Sequence, residues 1–369
     1  MNILSVGGNY KPGNGGNAKR ISTMCEMFVS LGHSVTVMTC TEGQGAENEC
    51  INGVRIKRFA DYKELSKNIK NCISVCEIDV VLVHQETFLR NMWLQGIRVP
   101  VFFECHAIEP NPNKAKEAIL KILSKCYLRK RFVRSVFVLS KNAIPQFSKA
   151  YNYPVESIFW TPNGFEAPKC KDAGIVFGDQ ETFTYGYAGT LYTFQGIENI
   201  LTYSKEILAI GEDVRLMLVG GGPLEETVRK FVEENGLSDK ILLTGSVDRK
   251  TFDEYMATFD VVLMPRPSMS STESAVPLKV FDAVKHRKPV VMSNVSGLTE
   301  AFSENAALIY DTKRPHDFVE CCRKIYRNRP LAEALVAGAS DAMKNWPTVE
   351  DVANTQLNVM KAVLANNDQ

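Results

Sequence analysis

Lys279 and Asp282 stand three residues apart just after Pro277 and Leu278, in a stretch that reads MPRPSMSSTESAVPLKVFDAVKHRKPVVMSN from Met264 to Asn294. Three residues apart on a helix means one shared face, so the cation and the carboxylate would point the same way. An ammonium binds a phosphate oxygen and an ionised carboxylate accepts two hydroxyl hydrogen bonds, so a diphosphate joined to a ribose fits the pair. An apolar strand, a polar loop, a helix entry and a second apolar strand follow one another here, which predicts a helix from Pro277 to Lys285. Pro277 suits a first helical turn and the Ser and Thr residues upstream can cap it. The free amides and the positive dipole end would then face the loop as an anion site. Ordinary capping and a solvated Lys–Asp pair leave the same pattern, so the wider chain has to separate the two readings.

Two further candidates lie in the first half. Lys11-Pro12-Gly13-Asn14-Gly15-Gly16-Asn17 joins a first strand to a helix, and glycine there permits positive φ and a close approach of ligand to backbone. A tight connection alone would read the same way. The loop is not Gly-x-Gly-x-x-Gly, and no acidic residue closes a clean second strand, which disfavours a dehydrogenase. His106 follows the strand Val101 to Glu104 and so stands at its carboxyl edge, where ligands gather in parallel sheets.

The elements that would position these residues alternate strand and helix twice over. In the first half strands are expected at Asn2 to Gly7, Ser34 to Thr39, Asp79 to His84, Val99 to Glu104, Ser135 to Leu139 and Ser157 to Trp160. Continuous apolar runs such as Val80 to Val83 suit parallel strands buried on both faces. In the second half strands are expected at Phe183 to Tyr187, Arg215 to Val219, Ile241 to Leu243, Val261 to Met264, Val290 to Met292 and Ala307 to Ile309. The fold class is therefore α/β, with two Rossmann-like, doubly wound parallel-sheet domains at 1–165 and 183–345. A linker is expected at 166–182, where apolar periodicity lapses, and a last amphipathic helix at 349–366. Two such sheets would face each other across a cleft at their carboxyl edges.

Pro265-Arg266, Pro277-Leu278-Lys279, Asp282 and Lys288-Pro289-Val290-Val291, in that order, resemble the nucleotide-sugar site of the GT-B glycosyltransferases of family 4, also called group 1. Further segments resemble the same family: Gly32-His33-Ser34-Val35-Thr36-Val37, Phe103-Glu104-Cys105-His106, Pro162-Asn163-Gly164, Tyr187-Ala188-Gly189-Thr190-Leu191-Tyr192, Gln195-Gly196 and Gly245-Ser246-Val247. The resemblance implies a retaining transferase in which His106 points toward the donor sugar while Lys279 and Arg266 neutralise the leaving diphosphate. It places Gly15, Gly16, Gly189, Thr190, Gly245, Pro277, Leu278 and Asp282 around the donor nucleotide, and the last helix back on the first domain. The chain departs from the family at four places. Asp282 stands where Glu is usual, and Ser274 replaces a second Glu, with Glu273 one residue out of step and expected to be an exposed loop carboxylate. Thr190 and Gln195 occupy the places of an Arg and a Lys that clamp the diphosphate, so Arg266 and Lys279 would have to supply that charge.

Composition bounds the rest. A chain of 369 residues with 45% hydrophobic content can fill two cores, and a net charge of +1 argues against nucleic-acid binding. No run is long enough to span a membrane and the amino terminus enters a strand directly, so a cytoplasmic protein is expected. The ten cysteines sit mostly in apolar segments and are expected to be reduced. No Cys-x-x-Cys, His-x-x-x-His or Asp-x-Asp occurs, so neither a bound metal nor a cofactor is expected, the nucleotide diphosphate sugar being a substrate. The acceptor would be a saccharide or a lipid-linked saccharide, in keeping with cell-surface polysaccharide or glycolipid synthesis. Residues 114–134 are strongly basic with apolar residues interleaved, a pattern shared by a solvated face and by a peripheral contact with the inner face of the membrane. A sugar-nucleotide epimerase of the same fold and a catalytically inactive partner subunit are the rival readings.

Overall fold

The computed structural model of the chain describes residues 1–13, 15–40, 47–108, 123–166 and 181–367. It divides into two compact units, one made of Met1–Gly164 with Pro347–Gln369 and the other of Phe165–Trp346. Most of the expected linker lies outside the described residues.

The first unit carries strands β1 (Asn2–Val6), β2 (Ser34–Cys40), β3 (Asn48–Ile51), β4 (Val54–Phe59), β5 (Val80–Val83), β6 (Val101–Cys105), β7 (Val133–Val138) and β8 (Ile158–Trp160). They form one sheet in the order β3-β4-β2-β1-β5-β6-β7-β8, parallel except for the β3–β4 pair. Helices α1 (Gly16–Ser30), α2 (Tyr62–Val75), α3 (Glu86–Leu94) and α4 (Ala143–Tyr151) join them. Strand side chains alternate between faces, and both faces are covered: Leu4 and Val6 enter one apolar cluster while Ile3 enters another. The antiparallel hairpin was not expected. Its turn is Asn52-Gly53, with φ of 51° and 81°, the dipeptide that suits a tight hairpin because both residues tolerate positive φ.

The second unit carries β9 (Phe183–Ala188), β10 (Val214–Val219), β11 (Ile241–Leu243), β12 (Val261–Met264), β13 (Val290–Ser293) and β14 (Leu308–Tyr310). Helices α5 (Ile197–Leu208), α6 (Glu225–Glu234), α7 (Arg249–Thr258), α8 (Lys279–Lys285), α9 (Asp317–Ile325) and α10 (Arg329–Lys344) surround them. All the strands are parallel, in the order β11-β10-β9-β12-β13-β14. That is the doubly wound 3-2-1-4-5-6 order, whose direction of travel reverses between β9 and β12 and opens a crevice at their carboxyl ends. In β12 the buried residues again split, Val261 and Leu263 to one cluster, Val262 and Met264 to the other.

The last helix, α11 (Val349–Asn367), belongs to the first unit. Val349, Val352, Ala353, Leu357 and Met360 pack there with Ile3, Phe28, Phe102 and Phe137. The described cysteines carry no disulfide, and six of them, Cys25, Cys40, Cys72, Cys105, Cys321 and Cys322, are buried.

Candidate active site

At the switch point of the second sheet, β9 runs into Gly189 and Thr190 and β12 into Pro265 and Arg266. The ammonium of Lys279 lies 4.1 Å from the ring centroid of Tyr187, and the Tyr187 hydroxyl donates to the Thr190 carbonyl at 2.7 Å. Gly189 has φ of +143°, and a Cβ there would stand 3.2 Å from Lys279 Nζ, so only glycine lets the chain pass this close. The Arg266 guanidinium is 6.0 Å from the Phe194 ring centroid, and the Ser293 hydroxyl donates to the Arg266 carbonyl at 2.6 Å. Lys279 Nζ and Arg266 Nε and Nη1 are buried without a hydrogen-bond partner among the described residues. Burial first, and then the charge of Arg266, push the Lys279 amine well below its ordinary value, against the pull of Asp282. Burial likewise lowers Arg266 to about 10, against the pull of Tyr187. Two buried cations without a counter-ion are costly unless an anion completes them.

Several details differ from what the sequence predicts. Helix α8 begins at Lys279, not Pro277; Leu278 precedes it as an N-cap whose side chain makes no capping bond, and no Ser or Thr caps the end. Seven residues make two turns with a weak dipole, so the charge that could hold an anion comes from the Lys279 and Arg266 side chains rather than from helix amides. Lys279 and Asp282 do not pair with each other. Instead Arg249, at the start of α7, donates from Nη2 to Asp282 Oδ1 at 3.1 Å and to Asp253 Oδ1 at 2.7 Å. Arg249 carries no motif of its own; its place two residues after Gly245-Ser246-Val247 is the signal that associates it with this edge. Gly245 has φ of +68° and bridges to Gly220. Glu273 is not an exposed loop carboxylate. It accepts from the Ser268 hydroxyl at 2.6 Å and from the backbone amide and hydroxyl of Ser296, the amide at 2.7 Å, and so ties two loop segments together.

In the first unit, Gly15 and Gly16 lie outside the positive-φ region, Gly15 with φ of −67°. A Cβ on either would meet nothing within 4 Å. The chain does not demand glycine there, and the backbone is left openly accessible. The adjoining Asn17 places Oδ1 3.1 Å from His106 Nδ1, which draws the loop and His106 together.

His106 is one end of a buried polar chain. Its Nε2 lies 3.1 Å from Glu104 Oε1 and 3.2 Å from His84 Nδ1, and His84 Nε2 lies 2.9 Å from the Ser5 hydroxyl. His84 follows β5 at the switch point of the first sheet, next to β1, which contributes Ser5. Glu104 is completely buried in β6. Arg20 of α1 donates Nε to Oε1 at 3.3 Å and Nη2 to Oε2 at 3.2 Å, and also binds the carbonyls of Thr161 and Pro162. Gln356 of α11 donates Nε2 to Oε2 at 2.6 Å. Burial opposes ionisation of Glu104, yet Arg20, then the bonds from His106 and His84, hold its carboxyl well below the usual range. Burial lowers His84 from the ordinary imidazole value, against the pull of Glu104. In sequence, only a carboxylate inside the apolar run Val101 to Cys105 signals this network.

His84, Glu104 and His106 are the group among the described residues whose ligand atoms lie close enough to hold a metal ion. His106 Nε2 lies 3.1 Å and His84 Nδ1 3.5 Å from Glu104 Oε1, the two nitrogens are 3.2 Å apart, and Arg20 also takes the carboxylate.

Residues 176–341 match the family model described as glycosyl transferases group 1, and residues 14–167 match the one described as Glycosyltransferase Family 4. The chain is 22% identical, over an alignment 403 positions long, to an uncharacterised glycosyltransferase of Methanocaldococcus jannaschii, covering 99% of both. Among solved structures it resembles sucrose-phosphate synthase of Thermosynechococcus elongatus, with a TM-score of 0.79 at 15% identity over 99% of this chain and 100% of that one. It also resembles Anabaena HepE in complex with UDP-glucose, with a TM-score of 0.75 at 14% identity over 98% of this chain and 100% of that one. At these identities the structural likeness is one of fold.

Proposed function

This chain belongs to the group 1 glycosyltransferases of family 4, with the GT-B fold, and from that premise we propose that it moves a sugar from a nucleotide diphosphate sugar to an acceptor hydroxyl with retention of configuration. The observation that carries this reading is the buried, unpartnered pair Lys279 and Arg266 at the β9–β12 switch point. It supports an anion site built of two side chains, which in the proposed reaction neutralise the diphosphate in place of a divalent ion. HepE, of the same fold, was solved with UDP-glucose.

In the proposed reaction the bond from the anomeric carbon to the diphosphate oxygen breaks, and the acceptor oxygen bonds the same face. The acceptor proton passes to the departing diphosphate, whose developing charge Lys279 and Arg266 stabilise. Gly189 and Thr190 border the diphosphate, Pro277 and Leu278 lead into Lys279, Gly245 lies toward the base, and the Asp282 oxygen left by Arg249 accepts from the ribose. Of the first unit's residues, His106 serves the donor sugar and the Gly15-Gly16 loop the donor diphosphate. Nucleotide release from a panel of UDP-, GDP- and ADP-sugars, with and without saccharide acceptors, tests the proposal. Slow donor hydrolysis with at least one sugar is expected, and no release from any donor would leave the inactive-subunit reading in its place.

We further propose a saccharide or lipid-linked acceptor and peripheral contact with the inner membrane face. Residues 114–122 of the basic stretch lie outside the described residues, and Tyr127 and Leu128 turn into the core rather than outward. What supports the contact is the surface where exposed Trp93 lines one depression with Arg129 and Arg131, with Leu94 and Leu123 also exposed. Among the described residues no helix is long and apolar enough to cross a membrane. Co-sedimentation with anionic vesicles at low salt, lost on changing Arg129 and Arg131 to Glu, is the expected result; a protein that stays in the supernatant favours a soluble acceptor.

A further inference from the structure

The C-terminal helix α11 reaches the polar chain of His106 through one residue. We infer that Gln356 is a positioning residue for His106, acting through Glu104; this rests on the functional reading given to His106 above. Gln356 is fully buried on a helix whose other inward residues, Val352, Ala353, Leu357 and Met360, are apolar. Its Nε2 donates to Glu104 Oε2 at 2.6 Å, while its Oε1 finds no donor among the described residues. A buried amide with one end unsatisfied costs stability that a Leu or Met would not. The position therefore makes sense by what the amide does to Glu104.

Glu104, being ionised, can only accept. Arg20 and Gln356 take Oε2, and Arg20 Nε touches Oε1 from one side, so the free direction of Oε1 is the one facing His106 Nε2 at 3.1 Å and His84 Nδ1 at 3.5 Å. That commits the Nε2 edge of His106 to Glu104 and His84. The Nδ1 edge, which among the described residues meets only the exposed side chain of Asn17, is left for a substrate hydroxyl. Arg20 spans both carboxylate oxygens and Gln356, from the opposite end of the chain, adds a second bond at Oε2, which together fix the plane of the carboxylate and with it the imidazole. The site is incomplete without the last helix.

The test compares Gln356→Met, which keeps volume and loses the donor, with Gln356→Asn, which withdraws the amide by one methylene. Thr355→Ala, an exposed neighbour whose hydroxyl donates to the Asp351 carbonyl, is the control. Imidazole ¹⁵N NMR should show a protonated, slowly exchanging Nε2 on His106 in the native chain, and a shifted, faster exchanging one in both Gln356 variants. Donor turnover should fall about tenfold in kcat, with KM within about twofold, as displacement of a catalytic group rather than loss of binding predicts. Thr355→Ala should match the native protein in both readouts. A folded Gln356 variant with an unchanged His106 spectrum overturns the inference whether or not the native chain turns over a donor, and a changed spectrum with native kcat removes Gln356 from catalysis. If the native chain shows no turnover, the spectrum alone decides the positioning claim, and the functional reading fails separately.

Discussion

Lys279→Met is expected to cut donor turnover by at least about tenfold while making the empty protein more stable. The two effects share one cause. A charge-assisted contact to a diphosphate oxygen contributes about 1.5 to 3 kcal/mol, which at the transition state is a tenfold to roughly hundredfold change in rate. In the absence of nucleotide the same amine is buried beside Arg266 and over the Tyr187 ring, with no hydrogen-bond partner among the described residues and only the distant pull of Asp282 to favour its charge. Methionine has similar volume and no charge, so removing the unsatisfied group should return about 1 to 3 kcal/mol. Steady-state kinetics and denaturant unfolding read the two. Lost stability with unchanged turnover would mean that Lys279 supports the fold and holds no substrate.

Arg20→Met is expected to have the largest effect on folding, a loss of about 3 to 5 kcal/mol, because it strands the Glu104 carboxylate in the core. Arg20 and Glu104 are respectively 4% and 0% exposed at their side chains, so solvent screening does not soften the pair. The double variant Arg20→Met with Glu104→Gln should recover part of the loss, since the uncompensated charge has gone. The sign of the pH dependence follows. The Glu104 carboxyl is held well below its usual range in the folded chain. Its contribution is therefore in place above about pH 4.3 and fades as pH falls through the depressed folded value. Arg20→Met should lose most of this acid-limb dependence. A loss under about 1 kcal/mol in urea titrations would show that the pair is not a folding element.

The sheets were legible in the sequence because their strands are short apolar runs buried on both faces, as Val80 to Val83 and Val261 to Met264 are. Such runs have few alternatives once helical segments separate them. The β3–β4 hairpin was signalled by Asn52-Gly53 and by the alternation of β4, but β3 is only four residues long and none of them is fully buried, so it offers little apolar pattern to read. At the site, Lys279 and Arg266 stand in a contiguous motif, so local spacing exposes them. Arg20, Glu104, His84 and Gln356 meet only because four separate elements converge, and Gln356 is 252 positions from Glu104. Nothing local to any one of them encodes that meeting. The start of α8 at Lys279 shows the opposite limit, since Pro277 stays just outside the helix although its carbonyl accepts from the Val280 amide at 3.2 Å.

The central claim is that Lys279 and Arg266 hold the donor diphosphate, and isothermal titration of UDP, GDP and ADP in two buffers of different ionisation enthalpy tests it most directly. The empty site lowers the Lys279 amine, and a bound diphosphate would raise it again. Binding should then take up a proton, and affinity should fall as pH rises through the lowered free-state value. At least one nucleotide is predicted to bind with a buffer-dependent enthalpy that Lys279→Met abolishes. Nucleotide binding that keeps its affinity and its enthalpy in Lys279→Met, or no binding of any of the three by the native chain, would contradict it.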